Sequence, residues 1–293
     1  MPIGLKRGTV KLADHDPEWA TLATETITKL NSILGDIAVV IQHVGSTSIN
    51  EIKAKPIIDI AVAVKDLNSV RKMIPALEQA AFLLRKWPDE TQMLFACGDY
   101  TKLDGIVTHF IHVVKVDSKE WKDYIHFRDY LNANPLVARE YEVLKVSLMN
   151  KNLQDKGREK YLDGKHDFVV HTLRKAQVWS FLGKTVTVTV DRPIGTAHPE
   201  HQDIIYPINY GYIAGEIAPD GKNLDAYILG MNKPLSSFTG RVVAIIHREN
   251  DVEDKLVVAP QDCEYNQAEI AEAVNFQEQY YKSHIELMKG INQ

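Results

Sequence analysis

Cysteine is nearly absent from this chain: only Cys97 and Cys263 occur in 293 residues, and they lie far apart in sequence. A disulfide framework is therefore not expected, and a reducing compartment is the natural setting. Long apolar runs are missing too. The run from Ile57 to Val64 is interrupted by Asp59 and falls well short of a membrane span. The first residues, Met1 to Arg7, are not followed by the apolar core of a signal peptide, so a cytoplasmic location is expected and a membrane is not a partner. The chain also lacks an excess of basic residues. Its net charge of -5 denies it the broad positive field of a non-specific nucleic-acid binder, so the expected partner is a small phosphorylated ligand, with a second copy of the chain as the other partner to consider. Internal repeats and low-complexity tracts are absent.

What is present suits ordinary folding: 45% hydrophobic and 25% charged residues provide both a core and a soluble surface. A chain of 293 residues exceeds what one core usually organises, which predicts two domains. Asp16-Pro17-Glu18-Trp19 reads as a helix start, with Asp16 as cap and Pro17 in the first turn, and Gly35 as the stop. Strand readings follow at Ile37 to Val44 and Lys55 to Val64, then a helix from Leu67 to Ala81 and strands near Met93 to Ala96 and Thr108 to Lys115. Helical stretches over Lys119 to Asn132, Pro135 to Lys151 and Arg158 to Ala176 close this half.

Between Gln177 and Lys184 the pattern changes to strict alternation, Thr185-Val186-Thr187-Val188-Thr189-Val190. The expected organisation is α+β, with an α/β sheet-and-helix domain over residues 1–178 and a small OB-like β-barrel over residues 183–293. Barrel strands are predicted at Thr185 to Asp191, Asp225 to Gly230, Arg241 to His247 and Lys255 to Val258. One C-terminal helix is predicted from Gln267 to Met288.

In the first half the informative constellation is Gly45-Ser46, then twelve residues, then Asp59-Ile60-Ala61. A Gly-Ser turn brings backbone N–H groups close to an anion, and period-two geometry sets residues 59 and 61 on one strand face. An acid inside an apolar strand must be paired, metal-bound or solvated in a cleft. The stretches His43 to Ile49 and Lys53 to Ile60, together with Thr108 to Val114, His126 to Leu131 and Tyr161 to Ala176, closely resemble the GrpB family, a nucleotidyltransferase-fold group. The resemblance implies a nucleotide-phosphate site at Gly45 and Ser46 and an Asp-x-Asp metal strand, in which Asp59 would be catalytic and metal-binding and Ala61 replaces the second acid. It also points to Lys55, His109, His112 and Arg128 as phosphate or nucleotide contacts. Asn50-Glu51 stands where the family usually carries Pro-Gly.

In the second half, Tyr206-Pro207-Ile208-Asn209-Tyr210-Gly211-Tyr212 followed by Asp220-Gly221-Lys222-Asn223-Leu224-Asp225 resembles the signature of family I inorganic pyrophosphatases. The resemblance implies Mg²⁺ as cofactor, held by Asp220, Asp225, Asp251, Glu253 and Asp254, with Tyr210 and Lys255 in the catalytic set and Tyr281 and Lys282 on phosphate oxygens. Lys222 replaces the acid expected between the two aspartates.

Two functions follow as expectations. The first is Mg²⁺-dependent hydrolysis of pyrophosphate, or a related phosphoanhydride, by the second half, beside a nucleotidyltransferase-like first half with an unassigned acceptor. The alternative is a non-catalytic nucleotide or phosphate sensor, scaffold or folding accessory built from degenerate enzyme domains.

Overall fold

The computed structural model describes residues 3–86, 91–99, 105–151, 157–218, 221–251 and 253–288. The chain is mixed α+β and separates into two compact units, residues 1–176 and 177–293.

The first unit runs β1 (Leu5–Lys6), α1 (Glu18–Leu34), β2 (Ala38–Val44), β3 (Ile58–Val64), α2 (Leu67–Arg71), α3 (Ile74–Gln79), β4 (Leu83–Lys86), β5 (Gln92–Gly98), β6 (Ile106–Lys115), α4 (Lys119–Ala133), α5 (Pro135–Lys151), α6 (Gly157–Asp163) and α7 (His166–Trp179), the last crossing into the second unit. Its sheet has the order β2-β3-β6-β5-β4, with β1 added on β6. Among its described strands only β3 and β6 pair in parallel, with Asp59 opposite Phe110 and Ala61 opposite His112.

Strand alternation sets the layers. Ile58, Ile60, Val62 and Val64 share a core with Trp19, Ala23, Leu30 and Leu34 of α1. The intervening residues Asp59, Ala61 and Ala63 therefore look to the other face, where α4 packs. Asp16 accepts from the Glu18 backbone N–H at 3.1 Å, which starts α1 as its sequence suggests. The predicted helix from Leu67 to Ala81 is instead two short helices. Pro75 sits in the first turn of the second, where its missing N–H costs nothing. The predicted helix from Arg158 to Ala176 is also divided. At Gly164 a Cβ would come within 2.4 Å of Leu148 Cδ2, so α5 closes over the break.

The second unit runs β7 (Thr185–Arg192), β8 (Asn209–Ile217), β9 (Asn223–Ile228), β10 (Ser237–Arg248), β11 (Lys255–Ala259), α8 (Gln267–Glu278) and β12 (Ser283–Leu287). The order β11-β9-β8-β7-β10, closed by β10–β11 pairing, makes a five-stranded barrel. Inside lie Val188, Leu224, Ala226, Ile228, Val242, Ile245, Leu256 and Val258.

One prediction fails here. The C-terminal helix does not reach Met288 but ends at Glu278, and Ser283–Leu287 forms β12 on the upper part of β10. Asn266 starts α8 with a reciprocal capping box to Glu269. Among the described residues no helix is long and apolar enough to cross a membrane.

Candidate functional site

The turn after β2 is built around Gly45, whose φ of 72° and ψ of -171° belong to a region essentially restricted to glycine. Space makes the same demand, since a Cβ there would meet Asp59 Oδ2 at 2.5 Å. The turn closes through Ser48 Oγ, which donates to the Gly45 carbonyl at 2.7 Å. Asp59 thus lies directly against the Gly-Ser turn, as the motif spacing implies.

Behind it stands a hydrogen-bonded chain. Asp59 Oδ1 lies 3.1 Å from His112 Nε2, and His112 Nδ1 lies 3.0 Å from the Tyr124 hydroxyl. A carboxylate only accepts, so Nε2 carries the proton toward Asp59, and in the neutral ring Nδ1 accepts from Tyr124. Burial pushes the Tyr124 phenol up, and the Asp59 charge pushes it further, which keeps that proton in place.

The two histidines separate, as period-two geometry requires. His109 pairs in register with Ile58, whose side chain faces the α1 core, so His109 lies on the sheet face opposite Asp59. Its Nδ1 lies 2.9 Å from Thr108 Oγ1, and its buried Nε2 has no hydrogen-bond partner. Burial lowers its pKa, with Asp59 opposing weakly.

Arg128 is placed differently from the expected phosphate contact. Its Nη1 donates to Gln42 Oε1 and to the His43 carbonyl, both at 2.9 Å, and its Nε donates to Asp129 at 2.7 Å. These bonds anchor the strand that enters the turn. Further residues from α4 and α5 continue the same work along residues 43–55. Asn132 receives the Asn50 N–H at 2.9 Å and donates to the Ser48 carbonyl at 3.0 Å. Glu142 receives the Lys53 N–H at 3.0 Å, while Lys145 donates to the Lys53 carbonyl. Five backbone groups of the loop are therefore held by helix side chains.

Lys145 is 1% exposed and sits 4.5 Å over the Tyr141 ring. Burial draws its pKa down to about 7, helped by the charge of Lys165 and opposed by Glu142.

A cleft of about 250 Å³ opens in front of Ser46 and Asp59. Among the described residues that line it are four basic side chains, Lys6, Arg7, Lys55 and Lys165, and one carboxylate, Asp59. Lys55 and Lys165 both lie over the Tyr161 ring, at 4.3 and 4.9 Å. Sequence reasoning did not find Tyr141, Lys145, Tyr161 or Lys165. One signal was available: Ala138, Tyr141, Glu142 and Lys145 form one buried helical stripe, and charges on such a stripe need partners.

The barrel motif is assembled in another way. Tyr210 donates to Asp225 Oδ2, and the same oxygen receives Lys255 Nζ at 2.8 Å. Lys255 also donates to Glu253 at 2.5 Å, and the Arg192 guanidinium lies 4.9 Å from the Tyr210 ring. Burial and the Asp225 charge raise the Tyr210 pKa well above its usual value.

The remaining acids point to separate cations. Asp251 pairs with Arg248 at 3.0 Å, and Arg248 also forks onto Glu278 and stacks 3.6 Å over the Tyr281 ring. Asp254 pairs with His247 at 2.7 Å. Burial works against the charged ring, yet the hydrogen bonds it donates to Asp254 and Glu286 raise His247 to about 9. Tyr281 and Lys282 lie in the turn after α8 rather than on a helix, and Lys282 pairs with Glu249 at the surface. Asp220 lies outside the described residues.

One oxygen each of Asp225, Glu253 and Asp251, and both of Asp254, are thus held by ammonium, guanidinium, imidazole, phenol or backbone N–H donors, and the acids turn to separate cations, which does not fit a Mg²⁺ cluster. Among the described residues, no three His, Cys, Asp or Glu side chains converge to hold a metal ion. On β3, Asp59 stands beside Ala61, so the described strand offers one acid where a two-metal clamp needs a shared set.

Relatives of known sequence and structure match the two halves separately. The glutamate-rich protein GrpB of Alkalihalophilus pseudofirmus is 38% identical over 176 residues, covering 59% of this chain and 99% of that protein. The crystal structure of the conserved protein GrpB from Enterococcus faecalis matches with a TM-score of 0.52 at 26% identity, over 58% of this chain and 99% of that one. An inorganic pyrophosphatase from Ehrlichia chaffeensis matches over 36% of this chain and 88% of its own, with a TM-score of 0.30 and 15% identity. The family described as GrpB protein covers residues 9–175, more than half of the sequence. With that coverage, a Gly-Ser turn seated on a strand aspartate and a cationic cleft before it, the chain belongs to the GrpB family.

Proposed function

We propose that this is a cytoplasmic phosphate-handling protein whose first half, a nucleotidyltransferase-type domain, binds a small phosphorylated ligand, a nucleotide or simpler phosphate, without a two-metal reaction. The barrel serves beside it as a non-catalytic module. One observation carries this reading: four basic side chains line the cleft at Ser46, and Asp59 is the one acid among the described residues that line it. A phosphate gains from such a field and from a turn whose backbone is held in place beforehand.

Calorimetry with ATP and with inorganic phosphate tests it. Lys165→Met removes one charged contact, worth about 1.5–3 kcal/mol, so affinity is expected to fall about 10- to 100-fold. Unchanged affinity in Lys165→Met refutes the assignment of this cleft.

A second reading is pyrophosphate hydrolysis by the barrel, favoured by the convergence of Tyr210, Asp225 and Lys255. With Lys255 occupying the acids, no phosphate release from pyrophosphate and Mg²⁺ is expected in a malachite-green assay. Release that disappears in Asp225→Ala establishes hydrolysis instead.

A further inference from the structure

Cations explain only part of the cleft. Asp59 stands among them with 27% of its side chain exposed, and a carboxylate repels the phosphate its neighbours attract. Its Oδ1 is held by His112, which Tyr124 holds in turn, and its Oδ2 lies against the Gly45 turn that bounds the cleft. Such an oxygen only accepts, and its orientation is set before any ligand arrives. Its natural complement is a hydrogen-bond donor. The neutral donor of a phosphorylated small molecule is a hydroxyl.

Size narrows the class. Small-molecule pockets usually occupy about 300–1,000 Å³. At about 250 Å³ this cleft suits a compact ligand better than a whole nucleoside triphosphate. The described lining does not suit a divalent cation, because Asp59 is the one acid among it and Ala61 stands where a second strand carboxylate would be needed.

Resting on the phosphate-binding reading above, we infer that the cleft selects a small hydroxylated phosphomonoester of the sugar-phosphate class. Its phosphate lies toward Lys55 and Lys165, and one hydroxyl donates to Asp59, with no metal ion between them. Asp59 is then a specificity-determining residue and His112 a positioning residue. The ion-paired barrel acids take no part.

The experiment is calorimetry on the full chain in EDTA with ribose 5-phosphate, inorganic phosphate and ethyl phosphate, and separately with ATP and Mg²⁺. Ribose 5-phosphate is expected to bind about tenfold more tightly than ethyl phosphate, which has the same charged group and no hydroxyl. Asp59→Asn keeps the shape and an oxygen for His112. It is expected to shrink the ribose 5-phosphate advantage severalfold while leaving ethyl phosphate equal or tighter, because a repelling charge is gone. Equal binding of the two phosphates by the native chain overturns the inference, as does an advantage that survives in Asp59→Asn or a preference for ATP with Mg²⁺ over ribose 5-phosphate. Each of these leaves the phosphate reading standing. That reading falls, and the inference with it, if no phosphate compound binds or if Lys165→Met binds all of them as the native chain does.

Discussion

Replacing Gly45 by alanine tests the central contact of the first unit. Two costs arise. The backbone at φ 72° and ψ -171° lies in the region that non-glycine residues occupy at about 1–3 kcal/mol. The new methyl would also sit 2.5, 2.8 and 2.9 Å from Asp59 Oδ2, Cβ and Cγ. Those atoms belong to a central strand whose neighbours, Ile58 and Ile60, are fully buried, so relief requires a shift of the strand or the turn, at about 1–3 kcal/mol for overpacking. The expected total is about 3 kcal/mol. Gly35→Ala is the control, because φ is also positive there, at 50°, but nothing lies within 4 Å of the added carbon. With ψ at -132° that backbone is also outside the left-handed helical region, so the control should cost about 1–3 kcal/mol from conformation alone. The assay is urea unfolding followed by tryptophan fluorescence, for which Trp19 at 2% exposure is a reporter in the same unit. Combining Gly45→Ala with Asp59→Ala should recover part of the loss, since two of the three close atoms are then gone. A Gly45→Ala cost no greater than that of Gly35→Ala, or strict additivity with Asp59→Ala, refutes the claim that the turn is seated on the carboxylate.

Two further outcomes concern the barrel. His247 is raised from 6.5 to about 9 in the folded chain, so its contribution is complete below pH 6.5 and is lost as pH rises through 9. The shift is worth on the order of 3 kcal/mol. Amide exchange in β12 should accelerate over that interval in the native chain and show a flatter pH response in His247→Gln; equal slopes would contradict the clamp. Lys255→Met leaves Asp225 and Glu253 without their shared cation. Unfolding stability should drop about 3–5 kcal/mol at pH 7 and less at pH 4, where the carboxylates protonate. A loss under about 1 kcal/mol at pH 7 would show that the acids do not depend on Lys255.

The first unit's central contact, the Gly45 turn against Asp59, was legible because it is local. Alternation from Ile58 to Val64 marks a strand, and a polar residue in that run marks the place where the strand meets a cleft. The separation of His109 from His112 follows from period two alone. The surroundings were not legible, since they depend on which helix face meets the sheet. Arg128 looks like a phosphate contact until α4 packs and directs it onto Gln42 and the His43 carbonyl. Lys145 and Lys165 are two among 34 basic residues. Only the packing of α5 and the chain after α6 singles them out.

In the barrel, Asp251 to Asp254 read as a metal-binding run because only the fold turns the nearby cations onto them, Arg248 three residues before Asp251 and His247 seven before Asp254. Arg248 and His247 come from β10, and Glu278 and Glu286 join the same networks from about 30 and 39 residues away. The last strand was missed for a related reason. Ser283–Leu287 follows a helix and contains residues that continue one, but backbone pairing with β10 from Ala244 to Arg248 prevails over local preference.

The loop before the cleft is gripped by its main chain at the His43, Ser48 and Lys53 carbonyls and the Asn50 and Lys53 amides. A scaffold that reads amides and carbonyls is indifferent to most of the letters between them. This explains how Asn50-Glu51 can stand where the family resemblance implies Pro-Gly. Asn50 brings the N–H that proline would have denied to Asn132, and Glu51 is forced to a φ of 61° that glycine would have adopted freely. The loop can therefore drift in sequence while its shape is inherited from two helices, and change that abolishes binding will concentrate in the helices instead.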